Sequence, residues 1–68
     1  MPSTVIRRFR YDPEEQRLVV DFLSGRRYAY FGVPPDVYEG MQRARSRGSF
    51  FNTQVRDRFR FARLDAPS

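Results

Sequence analysis

Hydrophobic and polar residues alternate over three short segments in the first half of the chain. Residues 4–11 and 17–23 combine this alternation with β-branched and aromatic side chains, which is typical of strands. Asp12 and Pro13 lie between these segments and favour a turn. A third such segment ends at Val33, which two prolines follow. The pattern predicts three consecutive antiparallel strands.

The parity of the side chains sets the length of the turn between the second and third strands. Residues that face each other on antiparallel strands lie on the same side of the sheet. A two-residue turn would place Tyr28 beside Asp21. A three-residue turn at 23–25, with Gly25 in the left-handed conformation, pairs Val20 with Tyr28 instead. The apolar face then comprises Leu18, Val20, Phe22, Tyr28 and Tyr30. We therefore expect both tyrosines in the core and not in a base-stacking surface.

Helical spacing follows the third strand. Pro35 suits the first position of a helix, and positions 37, 38, 41 and 44 are apolar at helical intervals. Gly48 is expected to end this helix, and Ser49 to cap a second, shorter one. The second helix is expected to present three side chains on one face: Phe51, Val55 and Phe59.

Residues 58–64 alternate again and predict a short terminal strand. The predicted order is βββααβ, an α+β class in which a helix–Gly-turn–helix pair packs on one face of a small antiparallel sheet. We expect one domain over residues 3–64 and loose termini at 1–2 and 65–68.

The composition argues against an enzyme. The chain has 68 residues with no histidine and no cysteine, which removes the usual general base and the thiolate ligands of metals. We expect a domain without catalytic residues, cofactor, metal or small-molecule substrate. No apolar run approaches the roughly 20 residues of a membrane span, so the expected location is the cytoplasm.

The charge of the chain suggests a polyanionic partner. The net charge is +5, and all thirteen basic residues are arginine. Guanidinium groups bind phosphate bidentately and stack on bases, which indicates nucleic acid. A genomic preference for arginine over lysine explains the same composition and remains an alternative.

Residues 44–52 form the most specific candidate for an anion site. Three arginines precede the expected start of the second helix, whose first turn carries no acidic residue. Free backbone N–H groups and the positive end of a helix dipole attract anions. The predicted contacts are Arg43, Arg45, Arg47, Gly48, Ser49, Asn52 and Arg56. A plain helix corner with solvated arginines explains Gly48 and Ser49 without a ligand and is the competing interpretation.

A second candidate surface is the sheet face opposite the tyrosines. Arg27 and Phe31 are expected there, and an arginine beside an exposed aromatic ring can stack single-stranded bases. Packing of Phe31 under the terminal strand or the N-terminus is the alternative. A helix-turn-helix motif is disfavoured because the second helix is short and aromatic.

The same residues resemble a known family. The matching positions are Ser3, Ile6, Phe9, Tyr11, Asp12, Leu18, Val20, Phe22, Ser24, Gly25, Tyr28, Tyr30, Val33, Pro34, Val37, Tyr38, Ala44, Ser46, Gly48, Phe50, Phe51, Asn52, Val55 and Arg56. Their order and spacing resemble the KTSC domain, which is named for its occurrence at the C-terminus of some lysyl-tRNA synthetases and also occurs in small bacterial proteins. The resemblance implies RNA binding through that association and carries over no catalytic residue.

We therefore expect a small, stand-alone, non-enzymatic domain that binds RNA or another nucleic acid through the arginine-rich helix corner. The alternative is a protein-interaction module, with homodimerisation through a sheet edge or the aromatic second helix.

Overall fold

One four-stranded sheet carries two helices that are inserted before its last strand. The computed structural model describes residues 5–65. Its elements are β1 (Ile6–Asp12), β2 (Arg17–Phe22), β3 (Arg27–Phe31), α1 (Pro35–Arg43), α2 (Arg47–Gln54) and β4 (Arg60–Arg63). Neighbouring strands are antiparallel and follow chain order across the sheet. The predicted βββααβ order and the α+β class are confirmed.

The turn between β2 and β3 has the predicted length. Val20 lies opposite Tyr28, as the three-residue turn requires. Gly25 has a φ of +98°, a conformation that glycine adopts without steric cost and other residues rarely adopt. Its amide donates a hydrogen bond of 2.9 Å to the carbonyl oxygen of Phe22. The turn thereby aligns the apolar side chains of both strands on one face.

That face carries the core. The fully or almost fully buried members are Leu18, Val20, Tyr30, Val33, Met41, Phe51 and Val55. The ring of Phe51 meets Phe22 and Tyr30 edge to face, with centroid distances of 5.2 and 5.3 Å. Phe50 lies against α1 so closely that a Cβ atom at Gly40 would be 2.9 Å from its Cζ atom. α2 is therefore fixed by contacts with both the sheet and α1.

Tyr11 attaches α1 to the edge strand β1. Its hydroxyl donates a hydrogen bond of 2.6 Å to the carbonyl oxygen of Val33, just before the helix. Its ring stacks on Tyr38 at 4.7 Å, and Phe9 meets Tyr38 edge to face at 5.8 Å. Aromatic contacts thus fix the position of α1 over β1.

A bulge in β1 changes which side chain enters the core. The pairing with β2 shifts between Ile6 and Arg8. Ile6 therefore packs against the core, whereas Val5 is 46% exposed. Strict alternation would place Val5 on the face of Phe9 and Tyr11, but alternation does not hold across an extra residue.

The corner between the helices differs from the prediction. α1 ends at Arg43, and Gly48 lies inside α2 instead of ending α1. Ser46 caps α2, since its hydroxyl oxygen accepts a hydrogen bond of 3.2 Å from the amide of Ser49. The expected cap at Ser49 was therefore three residues too late. Phe59 lies beyond the end of α2, because the helix stops at Gln54.

The uncovered face of the sheet has one buried acid. Asp21 is 9% exposed and accepts hydrogen bonds from Nε of Arg8 at 2.9 Å and Nε of Arg27 at 2.6 Å. These hydrogen bonds, of which the one from Arg8 has the larger effect, hold the pKa of the Asp21 carboxyl below its ordinary value. The carboxylate thus joins β1, β2 and β3 on the face that the helices leave open.

Asp65 holds the C-terminal end of the sheet. One of its carboxylate oxygens accepts two hydrogen bonds, from the backbone amide of Arg27 at 2.9 Å and from Nε of Arg63 at 3.1 Å. The expected loose termini at 1–2 and 65–68 are untested, and residues 1–2 and 66–68 lie outside the described residues. Within residues 5–65, neither helix is long and apolar enough to cross a membrane.

Truncation of Phe51 should remove most of the stability. Phe51→Ala is expected to lower the free energy of unfolding by about 3–5 kcal/mol, because it leaves a cavity between the sheet and α1. A domain of this size has a total stability of roughly 3–10 kcal/mol. Urea denaturation followed by circular dichroism measures the change. Thr53→Ala, on the exposed side of the same helix, is the control and should change stability by less than about 0.5 kcal/mol. Similar losses in both variants would contradict this account of the core.

The ion pairs of Asp21 with Arg8 and Arg27 should make the stability of the fold decrease in acid. Its lowered pKa contributes stability that is present above about pH 4, the ordinary range of the carboxyl, and is lost as the pH falls through the lowered value. Asp21→Asn should cost about 1–2 kcal/mol at neutral pH, discounted because Arg8 and Arg27 are largely exposed. Urea denaturation at a series of pH values should show the difference from wild type shrinking in acid. A constant difference would contradict the ion-pair origin of this stability.

Candidate nucleic-acid interface

Three arginines surround the turn between α1 and α2. Arg43 is the last residue of α1, Arg45 lies in the connection, and Arg47 is the first residue of α2. All three are exposed, and none takes part in an ion pair within residues 5–65. We call this group the arginine corner. It places three positive charges within five residues of the chain.

Arg47 is held against the sheet. Its guanidinium carbon lies 5.4 Å from the centre of the Phe9 ring, in a cation–π contact. The contact attaches the start of α2 to β1 and orients one of the three corner charges. Arg47 therefore has a structural role in addition to its charge.

The first turn of α2 leaves two amides available. The amide of Ser49 is taken by the Ser46 hydroxyl, and the amide of Phe50 donates to the Ser46 carbonyl oxygen at 3.0 Å. Within residues 5–65, the amides of Arg47 and Gly48 have no acceptor. An anion at this end would meet those two amides, whereas at Ser49 it would compete with the cap. The predicted contact at Ser49 remains untested.

A hollow lies directly beside the corner. Its volume is about 540 Å³, and its lining is Val5, Ile6, Ala44, Arg45, Ser46, Arg47 and Gly48. The β1 bulge contributes one wall, and the connection between the helices contributes the other. The residues predicted for the site from the sequence did not include Ser46. The signal was present, because Ser46 lies three residues before Ser49, which is the spacing between an N-cap and the backbone amide that donates to it.

The other two predicted anion contacts lie further along the chain. Asn52 lines a separate hollow of about 670 Å³, together with Thr53, Asp57, Arg58 and Phe59. Arg56 lies two residues beyond the end of α2, a helix of eight residues that is about 12 Å long at a rise of about 1.5 Å per residue. The structure therefore brings Arg43, Arg45, Arg47 and Gly48 together at the start of α2, with Asn52 about one helical turn further along and Arg56 beyond the end of the helix.

Arg56 lies near the hydroxyl of Tyr30. Burial raises the pKa of this phenol to about 12, and the positive charge of Arg56 acts in the opposite direction. The residue is exposed and belongs to the β3 side of the molecule. Together, Arg47 and Arg56 mark the two ends of α2.

The open sheet face carries the predicted Arg27 and Phe31. Arg27 is engaged by Asp21 at 2.6 Å, which reduces its availability to a ligand. Phe31 is 41% exposed and lies beside Arg60 of β4 instead of beneath that strand. The expected position of both residues opposite the tyrosine face is confirmed, but their role in stacking is untested.

Sequence analysis missed an exposed ring on the helix-bearing face. Phe61 of β4 lies opposite Tyr30 and is 55% exposed. Its ring centre is 5.6 Å from those of Tyr28 and Tyr30. Alternation predicted the strand that contains Phe61, but only the pairing with β3 shows that this ring extends the tyrosine face.

Comparison with known proteins gives consistent results. The sequence pattern of the KTSC domain family matches residues 2–59. A lysine–tRNA ligase of Nostoc punctiforme is 41% identical over 62 residues, which are 91% of this chain and 11% of that protein. An uncharacterised protein of Stutzerimonas stutzeri is 39% identical over 66 residues, covering 96% of this chain and 93% of that one.

A solved structure has the same fold. The crystal structure of a KTSC domain protein from Yersinia pestis superposes with a TM-score of 0.83 at 29% identity, covering 94% of this chain and 90% of that one. The chain thus spans about one tenth of the ligase that it matches and nearly all of the small proteins. The family match, the relatives and the shared fold agree, and this chain belongs to the KTSC domain family.

Proposed function

We propose that this KTSC domain is a non-catalytic RNA-binding module that contacts the phosphate backbone through the arginine corner, a function it would carry out in the cytoplasm. The observation that carries the proposal is the exposure of Arg43, Arg45 and Arg47 without any ion-pair partner within residues 5–65. Guanidinium groups bind phosphate oxygens bidentately. Free amides of Arg47 and Gly48 add donors at the positive end of α2.

The relatives support RNA as the polyanion. A lysine–tRNA ligase contains a region 41% identical to this chain. A domain within a protein that acts on tRNA has RNA available as a partner. The net charge of +5 favours association with any polyanion, and the arginine corner groups three exposed arginines that have no ion pair within residues 5–65.

Removal of two corner arginines should weaken RNA binding and reduce its salt dependence. The double variant Arg43→Ala/Arg45→Ala is chosen because Arg47 also packs on Phe9. Each phosphate contact on a single strand contributes about 0.7 to the slope of log K against log salt, so the slope should fall by about 1.4. Fluorescence anisotropy with labelled single-stranded RNA at several salt concentrations measures both quantities.

A charge-matched control separates the corner from the total charge. Arg10→Ala/Arg26→Ala removes the same two charges from exposed positions that have no ion pair within residues 5–65. This variant should bind nearly as tightly as wild type. An equal loss in both double variants would show that only net charge matters. Absence of wild-type binding at low salt would end the proposal.

A protein partner is the second candidate, and the edge strand β4 favours it. All four residues of β4 are exposed, and no strand within residues 5–65 pairs with its outer edge. Pairing of two copies about the middle of this strand would bring Arg60 opposite Arg63, which is unfavourable. Sedimentation analysis without RNA tests it: a dimer that persists at high salt favours this candidate over RNA binding.

A further inference from the structure

The helices leave one part of their sheet face uncovered. α2 covers Tyr30, which is 3% exposed, through the ring of Phe51. β4 lies beyond α2, and its Phe61 points to the same face while remaining 55% exposed. Tyr28 lies beside it and is half-buried. We call Tyr28 and Phe61 the aromatic shelf.

The shelf has a rigid support. Phe61 lies 5.6 Å from Tyr28 and 5.6 Å from Tyr30, with tilts of 34° and 35°. The two tyrosines stack on each other at 6.3 Å, and Phe22 meets Tyr28 edge to face at 5.9 Å. The Phe61 ring is therefore supported from within the sheet and open to solvent on its other side. Such a ring binds a flat ligand with little loss of conformational entropy.

The surroundings of the shelf are basic. The segment 56–63 contains four arginines and a single acid, Asp57; one of the four, Arg60, lies beside Phe31 on the opposite face of the sheet. Arg56 lies near the Tyr30 hydroxyl, as does Asp57. Arg63 lies opposite Tyr28 in the strand pairing, although Asp65 binds its guanidinium group at 3.1 and 3.2 Å. The net positive charge of this segment complements a phosphodiester backbone.

We propose that the aromatic shelf stacks an unpaired nucleobase, so that the domain selects single-stranded RNA over duplex RNA. This inference rests on the proposed function. Bases in a duplex are stacked on their neighbours and present only their edges, whereas an unpaired base offers a face to an aromatic ring. Arginines beside the ring contact the adjoining phosphates.

The course of α2 connects the shelf with the arginine corner. Arg47 at the start of α2 lies over Phe9 of β1, and Phe51 lies over Tyr30 of β3. The helix thus runs across the sheet from the β1 edge towards β4. A strand of RNA whose backbone is bound at the corner reaches the shelf along this helix, which is about 12 Å long.

Phe31 provides a matched control on the opposite face. It is 41% exposed, and it lies in β3 one residue after Tyr30, the partner of Phe61. The two phenylalanines thus have similar exposure and neighbouring positions, but they face opposite sides of the sheet. A comparison between them assigns stacking to one face.

A tryptophan at the shelf should report stacking directly. The chain contains no tryptophan, so Phe61→Trp introduces a single fluorophore that can be excited selectively. Addition of a single-stranded RNA of mixed sequence should quench this fluorescence, because the base stacks on the indole. Phe31→Trp should show no comparable quenching. Quenching at position 31 and not at 61 would overturn the proposal.

Affinity measurements on variants that lack the Phe61 ring test the same stacking contact. Stacking on an aromatic side chain contributes enough that Phe61→Ala should weaken binding of single-stranded RNA by about 5-fold or more. Binding of the matching RNA duplex should not change. Phe61→Leu keeps the apolar bulk and should lose affinity as well, whereas Phe31→Ala should bind as wild type does. Circular dichroism and urea denaturation establish that each variant is folded.

The outcomes separate this inference from the proposed function. Wild-type affinity in folded Phe61→Ala, with weaker binding in Arg43→Ala/Arg45→Ala, overturns the shelf and leaves the RNA-binding function intact. No binding of any RNA by wild type overturns both. An RNA-free dimer that Phe61→Ala dissociates would show that a second copy of the chain occupies the shelf, which also overturns the proposal.

Discussion

The register of the β2–β3 hairpin is the constraint on which the rest of the structure depends. Because side chains alternate between faces, a slip of one residue would move Val20 and Tyr28 to opposite sides of the sheet. The left-handed conformation of Gly25 allows the three-residue turn that prevents this slip. With the register set, one face is continuously apolar, and both helices pack on it. The core and the position of every candidate binding group follow from that arrangement.

The same register gives the two faces of the sheet different chemistry. The helix-bearing face is aromatic, and its uncovered end presents Phe61 to solvent. The open face is polar. Its central residue is Asp21, whose carboxylate accepts hydrogen bonds from two arginines on the flanking strands. Arg27 is thereby used for stability, while the arginine corner keeps its charge free of ion pairs within the described residues. This division explains why basic residues of one chain differ in their availability to a polyanion.

Local patterns predicted most of the fold and part of the candidate site. The alternation of β2 and β3 and the prolines before α1 determine elements over short distances, and these predictions were confirmed. The corner was less accurate, because Ser46 and Ser49 both qualify as caps and local preference does not choose between them. The grouping of Asn52 and Arg56 with the corner is untested; Asn52 lies within α2, and Arg56 lies beyond its end.

The sequence by itself determined the class of fold, the hairpin register, the aromatic core and an excess of arginine, because each depends on spacing or composition. Only the tertiary structure decided that Ile6 replaces Val5 in the core, since a bulge leaves no reliable signal in the alternation. It also decided that Phe61 is exposed beside Tyr28. The pairing of β3 with β4 joins residues 29 to 35 positions apart, and the short length of α2 leaves the rings of Tyr28 and Phe61 partly exposed. The exposed surface of Tyr28 and Phe61 results from this long-range pairing and from the length of α2. Neither can be predicted from a local sequence pattern.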